Sequence, residues 1–318
     1  MGHWLLGSLP ELRAGMLEFF ERCRAEYGTL VSFRLGHRRI HLLSEPELIE
    51  QVLVTQNRSF KKHYAFDFLK PLLGNGLLTS EGEFWLKQRR LMQPAFSRKL
   101  QDRFLEIVRE RTNKLMDDWS HRPRFELHQE MSNLTVEIAA EAFLGVELQD
   151  DLEAIGRSME ILHQDFERRF RSLIPVPIWI PTRNNRVFQK SARTIIEIVD
   201  RLVETRRRND SQGADALSLL LQCRDESGAS MSARQVRDEV ITLLLAGHDT
   251  TANALSWAFV LLSRHPEAAD KLAAEGSEST EFAGQVLREA MRLYPPAFVF
   301  GRQCIRACEL GGVPIRSG

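Results

Sequence analysis

One long helix, predicted to run for about 30 residues, is the feature that most constrains how this chain folds. Ser232 with Gln235 three positions later forms a capping box ahead of it, and His265-Pro266 closes it. At 1.5 Å per residue, such a helix is roughly 45 Å long and crosses a whole domain. Its large apolar residues occupy every face, which predicts a helix surrounded by protein.

The middle of this helix breaks the pattern. Residues 247–251 read Gly-His-Asp-Thr-Thr, which together cost about 2 to 4 kcal/mol against alanine. They also place a carboxylate where we expect the deepest burial. One explanation is a kink, or threonine hydroxyls bonding back to carbonyls one turn earlier. In the other, Gly247 lets a flat ligand approach the backbone, Thr250 offers a hydroxyl and Asp249 passes protons inward from water.

The rest of the chain is predicted to be mainly α with a small β-sheet. Residues 30–35 and 39–43 alternate about Gly36-His37, which indicates a hairpin. Residues 60–82 are apolar but show neither helix nor strand periodicity. We interpret them as a loop that forms one wall of an apolar pocket. Helices are predicted near 11–26, 44–53, 84–92, 100–119, 133–145, 150–170, 185–208, 217–223, 267–274 and 281–293.

Charge and cysteine usage exclude several classes of protein. The 43 basic and 43 acidic residues cancel, which gives no support to a nucleic-acid partner. The four cysteines show neither paired spacing nor a metal-site pattern, which fits a reducing compartment, so we expect a cytoplasmic protein. No segment near the amino terminus is apolar for long enough to predict a membrane anchor.

Two side-chain pairs have the spacing of helix neighbours. Trp85 and Arg89 are four apart and share a face, and Glu289 and Arg292 are three apart just before Tyr294-Pro295-Pro296. Each pair alone is equally well explained as a surface contact. In this order, together with residues 246–251, they resemble the haem-thiolate monooxygenases, the cytochromes P-450. The resemblance covers nearly the whole chain and implies a single cytochrome P-450 domain over residues 1–318.

The resemblance implies roles for the residues around the cofactor, which would be haem b. Ala246 and Gly247 would lie against the porphyrin, and Asp249 and Thr250 would be the catalytic acid and alcohol that deliver protons during oxygen activation, shielded from bulk solvent. The other expected cofactor contacts are the partners of the haem propionates, Trp85, Arg89 and Arg302. Glu289 and Arg292 would form a buried structural ion pair.

The resemblance also implies an apolar substrate and an electron donor. The matching substrate positions are Leu78, Leu243, Phe298 and Val299, whose apolar side chains predict a small hydrophobic substrate. Besides O2, the expected partner is a ferredoxin or a flavoprotein reductase. Residues 174–181 match a mobile lid over the entrance, although a packed loop explains them as well.

The expected axial ligand is not found among the four cysteines. The sequence ends at Gly318, before the Gly-rich loop that carries the cysteine thiolate in the family, so we expect a domain that is incomplete at its carboxyl end. Residues 300–305 resemble that loop superficially, but Phe300 stands where a glycine is needed. The resulting hypothesis is a haem-dependent monooxygenase that is inactive as this chain alone. The alternative is a non-catalytic helical protein that binds hydrophobic ligands or a partner.

Overall fold

The computed structural model describes residues 3–96, 98–145, 151–170, 176–208, 215–225, 228–276 and 279–317. These residues form thirteen α-helices and six short β-strands. The helices are α1 (Leu9–Ala14), α2 (Met16–Tyr27), α3 (Pro46–Glu50), α4 (Lys70–Leu73), α5 (Gly82–Met92), α6 (Arg98–Ser120), α7 (Leu127–Leu144), α8 (Leu152–Phe170), α9 (Arg183–Arg208), α10 (Ala216–Gln222), α11 (Ala233–Arg264), α12 (Pro266–Glu275) and α13 (Glu281–Leu293). The strands are β1 (Leu30–Leu35), β2 (Arg38–Leu43), β3 (Phe60–Lys62), β4 (Arg302–Cys304), β5 (Cys308–Leu310) and β6 (Val313–Ile315).

Contacts along the chain group into two compact units. Unit 1 consists of Met1–Phe68, Phe166–Ile178 and Gly301–Gly318, and it holds all six strands. They pair as three antiparallel ladders, β1 with β2, β3 with β4 and β5 with β6. The first hairpin packs on α2, where Phe19 meets Phe33 edge-on at 5.1 Å between ring centroids. The other two ladders pack around a cluster of distant residues, Val52, Cys304, Leu310 and Ile315.

Unit 2 consists of Leu69–Asp165 and Trp179–Phe300 and is organised around α11. This helix packs against α7, α9, α13 and α4. Its amino-terminal half is the best buried part, with Val236, Val240, Ile241 and Leu244 fully shielded from solvent. Along the other half, Trp257 and Phe259 are exposed. The prediction of a helix surrounded by protein is therefore confirmed for its first half and wrong for its second.

The hairpin and most of the predicted helices are confirmed, with differences at their ends. The helix expected over 11–26 is instead α1 and α2, because Gly15 between them is extended, and the helix expected over 44–53 is α3 followed by a π-helical turn over Gln51–Thr55. The central helix has 32 residues, and the Ser232 hydroxyl accepts a hydrogen bond from the Gln235 amide at 3.2 Å, as its capping box predicts. The helix expected to begin at 133 begins at Leu127, because the Glu126 carboxylate caps the amides of His128 and Gln129. The fold class is confirmed as mainly α with small sheets.

The apolar stretch 60–82 is not the irregular loop that its sequence suggested. It contains β3, a 3-10 helix over Tyr64–Phe68 and α4, followed by a turn over residues 74–80. The stretch shows no hydrophobic periodicity because each of its elements is too short to display a repeat. Among the described residues, none of the helices combines the length and apolar character needed to cross a bilayer.

Candidate functional site

One stripe of α11 runs from complete burial to open surface. Glu239, Leu243, Ala246, Thr250 and Trp257 follow one another at intervals of four, three, four and seven residues, which places them on one helix face. We call this face the α11 stripe. Glu239 is fully buried and Leu243 is 8% exposed, whereas Ala246, Thr250 and Trp257 are exposed. The stripe therefore offers small side chains to a ligand at its centre.

Thr250 lies on the open part of the stripe. Its hydroxyl donates to the Ala246 carbonyl oxygen at 2.7 Å, which is the back-bonding that one of the two explanations required. The same bond is made by Thr242 to Asp238, also at 2.7 Å. The expectation that Thr250 is shielded from bulk solvent is wrong for this structure, because Thr250 is exposed among the described residues.

Asp249 lies beside the stripe and between two histidines. Its Oδ2 is 3.3 Å from Nδ1 of His163 on α8, and its Oδ1 is 2.9 Å from Nδ1 of His248. Nδ1 of His248 is buried and forms no hydrogen bond of good geometry, so the second contact is a close polar approach. Burial alone raises the pKa of Asp249, but the two histidines outweigh it and hold that pKa well below its usual range.

The burial of Asp249 was predicted incorrectly. Its side chain is 28% exposed, and the deepest carboxylates of α11 are instead Glu239 at 0% and Asp238 at 4%. Both precede the Gly-His-Asp-Thr-Thr break by more than two turns. Sequence reasoning missed them, although two adjacent acids at the head of an apolar run were a usable signal.

His248 extends the polar group around Asp249 into the core. It is 3% exposed, and its Nε2 lies 2.7 Å from the Ser132 hydroxyl on α7. His248 is thus a hydrogen-bonding residue of the buried part of unit 2. Because Ser132 on α7 hydrogen-bonds to Nε2, the imidazole is held with its Nδ1 toward Asp249.

Gly247 does not open α11 to a ligand. A Cβ built at Gly247 would lie 3.2 Å from Phe143 and 3.6 Å from Ala139, both on α7. The close approach that this glycine permits is therefore that of a neighbouring helix. The side chain of Ala246, next to it, is exposed. Contact of either residue with a porphyrin stays a prediction.

The expected propionate partners are distributed over both units. In unit 2 the Arg89 guanidinium lies 5.3 Å from the centre of the Trp85 ring, with Trp85 half-buried and Arg89 exposed. In unit 1 the partly buried Arg302 donates from Nη1 to the Gly301 carbonyl oxygen at 3.0 Å. The shared helix face of Trp85 and Arg89 is confirmed; their binding to a cofactor remains a prediction.

The Glu289–Arg292 pair forms but is not buried. Arg292 donates two hydrogen bonds to the Glu289 carboxylate, at 2.7 and 2.8 Å, yet the side chains are 66% and 57% exposed. The hydrogen bond from Arg292 lowers the pKa of Glu289. Spacing on a helix fixes the pairing, whereas burial needs other chain segments over this face, and the described residues provide none. The buried placement expected for this pair is therefore wrong here.

The expected substrate positions differ in exposure. Leu243 is 8% exposed and Leu78 is half-buried, while Phe298 and Val299 are 45% and 40% exposed. Leu78 belongs to the turn over residues 74–80, which is bonded to the buried end of the α11 stripe. Of the expected lid, residues 174 and 175 lie outside the described residues, and Trp179 is 79% exposed.

The cysteines do not form a thiolate centre. The Cys223 thiol donates to the Leu91 carbonyl oxygen at 3.1 Å and the Cys304 thiol to that of Arg306 at 3.0 Å. Burial raises the pKa of the Cys23, Cys223 and Cys308 thiols, which opposes ionisation. Each of the four is therefore better described as a structural thiol.

Comparison with known proteins identifies the family. The cytochrome P450 family model matches residues 1–318. The chain belongs to the cytochrome P450 family. A retinoic acid-bound cyanobacterial member, CYP120A1, superposes with a TM-score of 0.84 over 99% of this chain and 73% of that one, at 23% identity, which shows the shared fold.

Curated cytochrome P450 relatives include three Streptomyces proteins. Cyclooctatin synthase of Streptomyces melanosporofaciens is 34% identical over 90% of this chain, and cyclooctat-9-en-7-ol 5-monooxygenase of the same organism is 31% identical over 99%. Pentalenene oxygenase of Streptomyces avermitilis is 30% identical over 92%. The chain spans 66%, 71% and 68% of their respective lengths.

Proposed function

We propose that this protein binds haem b against the open part of the α11 stripe and oxidises an apolar organic substrate with O2. The observation that carries the proposal is the Asp249 carboxylate, placed between two histidines and next in the chain to the exposed Thr250. Small side chains at Ala246 and Thr250 suit a flat cofactor, because they leave its face unobstructed. When bound, haem supplies the oxygen-activating chemistry of the family.

The protein groups are arranged to move protons toward Thr250. His163 is 46% exposed, so it exchanges protons with water while its Nδ1 contacts the Asp249 carboxylate. Asp249 lies between that histidine and the interior, and because its low pKa keeps it ionised at neutral pH, it would relay a proton only transiently and not hold one at rest. Thr250 donates to Ala246, which leaves its oxygen lone pairs available as an acceptor.

The same proposal assigns the remaining partners. Trp85, Arg89 and Arg302 would hold the propionates, where a guanidinium pairs well with a carboxylate. The named substrates of two relatives are an alkenol and an alkene, which supports an apolar alkene-type substrate here. Electrons would come from a ferredoxin or a flavoprotein reductase. The cytoplasm suits four free thiols.

Because none of the four thiols is suited to ligate iron, we also propose that the 318-residue chain alone holds haem weakly and does not turn over. Haem titration followed by absorbance tests binding to the stripe. Ala246→Trp should lower haem affinity at least about tenfold, since the indole would occupy the stripe. Ala274→Trp, at an exposed alanine on α12, is the matched control and should leave affinity unchanged.

The spectrum of the reduced, carbon monoxide-bound protein, recorded with a version that carries the family cysteine loop, tests the family chemistry. A red-shifted Soret band typical of thiolate ligation is expected, and a histidine-type spectrum would refute it. Equal haem affinity of wild type and Ala246→Trp would reject the stripe as the binding face. If wild type bound no haem at all, the alternative of a non-catalytic ligand-binding protein would be favoured.

A further inference from the structure

Two buried carboxylates of α11 hold a turn of the chain by its backbone. The Asp238 carboxylate accepts a hydrogen bond from the Asn75 amide at 3.0 Å, and the Glu239 carboxylate accepts one from the Leu77 amide at 2.8 Å. Both acids are almost inaccessible to water, at 4% and 0% exposure. Each acid therefore supplies a buried hydrogen-bond acceptor to a backbone amide of the chain. We call residues 74–80 the anchored turn.

The anchored turn fits α11 closely because two of its residues are glycines. A Cβ at Gly74 would lie 2.1 Å from Asp238 Oδ2, and one at Gly76 would lie 2.2 Å from the Thr242 hydroxyl and 2.8 Å from the Asp238 carbonyl oxygen. Gly74 also has φ of +53°. Any larger residue at either position would displace the turn from the helix.

The turn closes on itself as well as on α11. Thr79, 3% exposed, donates from its hydroxyl to the Gly74 carbonyl oxygen at 2.9 Å, and α4 ahead of it ends in the fully buried Leu73. Asp238 is itself held by Arg237, whose Nη2 lies 3.0 Å from the Asp238 carboxylate. Nη1 of the same arginine lies 3.3 Å from Asp200 on α9. The two carboxylates are thus fixed parts of the scaffold.

The position of the turn along α11 gives it a functional meaning. Glu239 begins the α11 stripe, and Ala246 and Thr250 follow on the same face about 10 and 16 Å further along the helix axis. The half-buried Leu77 and Leu78 therefore stand at the buried end of the face that the proposed function gives to cofactor and substrate. Held in place at that end, the two leucines would give apolar contact only to a ligand whose tail is long enough to reach them.

We infer that Asp238 and Glu239 are positioning residues for ligand size, which act through the anchored turn and its leucines. This inference rests on the proposed function for the α11 stripe. Neither acid contacts ligand. They hold these leucines in place, so their loss should weaken binding of long apolar ligands and spare short ones.

Amide hydrogen exchange of the 318-residue chain tests the anchoring without any ligand. In Glu239→Ala the Leu77 amide should exchange about tenfold faster or more, because it loses its hydrogen bond to the Glu239 side chain. Glu239→Gln keeps an oxygen acceptor and should preserve most of the protection. Glu204→Ala, a 66% exposed acid on α9, is the matched control and should change nothing in the turn. Unchanged exchange in Glu239→Ala would overturn the inference.

Ligand size selectivity is measured on the haem-loaded chain with 1-butylimidazole and 1-octylimidazole, whose imidazole binds haem iron and whose tails differ by four methylene groups. Glu239→Ala should raise the Kd of the octyl compound about tenfold, since much of the apolar contact of its tail is lost, and that of the butyl compound less than twofold. Equal changes for both, or no change, would show a merely structural role and overturn the inference.

Gly76→Ala provides a second variant that leaves both carboxylates intact. It should shift size selectivity in the same direction, because its methyl group displaces the turn, and its helical circular dichroism shows whether the fold is kept. A folded Gly76→Ala with wild-type selectivity would contradict the inference. If wild type bound neither haem nor imidazoles, the proposed function would fail and selectivity with it, while the exchange data would still decide whether the acids anchor the turn.

Discussion

Nδ1 of His163 on α8 lies 3.3 Å from Oδ2 of Asp249 on α11. The contact joins a histidine that is 46% exposed to a carboxylate that is 28% exposed, next to the threonine of the α11 stripe. It gives the proposed proton path an entrance from solvent. It also makes the charge of Asp249 a measurable contribution to stability.

Asp249→Asn should lower the free energy of unfolding by about 1 kcal/mol at neutral pH, after allowance for solvent screening. The folded pKa of Asp249 is below its unfolded value near 4, so its stabilisation is present above about pH 4 to 5 and is lost as the pH falls toward the folded pKa. Urea denaturation of both proteins between pH 3 and about 7 measures this difference. If the difference in unfolding free energy between the two proteins stayed constant down to pH 3, the pairing of Asp249 with the histidines would be contradicted.

Thr250→Val should lower the rate of product formation by about 10 to 100-fold in the complete enzyme, since it removes the hydroxyl at the proposed end of the proton path. Thr250→Ser keeps a hydroxyl and should keep most of the rate. Both variants should have wild-type melting temperatures, because the side chain is exposed. Equal rates for Val and Ser would remove Thr250 from the mechanism.

Gly247→Leu should destabilise the protein by about 1 to 3 kcal/mol, because the added side chain points at Phe143 and Ala139 of α7. Ala246→Leu, one residue earlier on the exposed face, should have little effect on stability and should lower haem affinity. Urea denaturation and haem titration of the two variants give the comparison. The reverse pattern would mean that Gly247, not Ala246, faces the cofactor.

Arg206→Ala should lower the free energy of unfolding by about 3 to 5 kcal/mol, since it leaves a buried carboxylate without its partner. Arg206 is 13% exposed and donates to Asp215 at 2.6 Å, to the Ser218 hydroxyl at 2.8 Å and to the Leu144 carbonyl oxygen at 2.9 Å. Arg292→Ala removes an arginine from the exposed pair with Glu289 and should change the stability of this chain very little. If Arg292→Ala lowered the free energy of unfolding more than Arg206→Ala does, the Glu289–Arg292 pair would have to be buried in solution.

Local sequence determined the elements of this fold. The cap at Ser232, the stop at His265-Pro266 and the spacing of apolar residues are short-range signals, and they set α11 and most of the other helices correctly. The pairing of Glu289 with Arg292 and the shared face of Trp85 and Arg89 followed from helix periodicity alone. The ordered set of motifs likewise indicated the family.

The tertiary structure decided which side chains are buried and what they face. Gly247 lies against α7, and Asp238 and Glu239, not Asp249, are the deepest acids of α11. Their partners, the amides of Asn75 and Leu77, lie more than 160 residues away in the chain. Helix periodicity assigns a residue to a face of its own helix, but burial depends on which distant segment packs there, and no local pattern in the sequence carries that information.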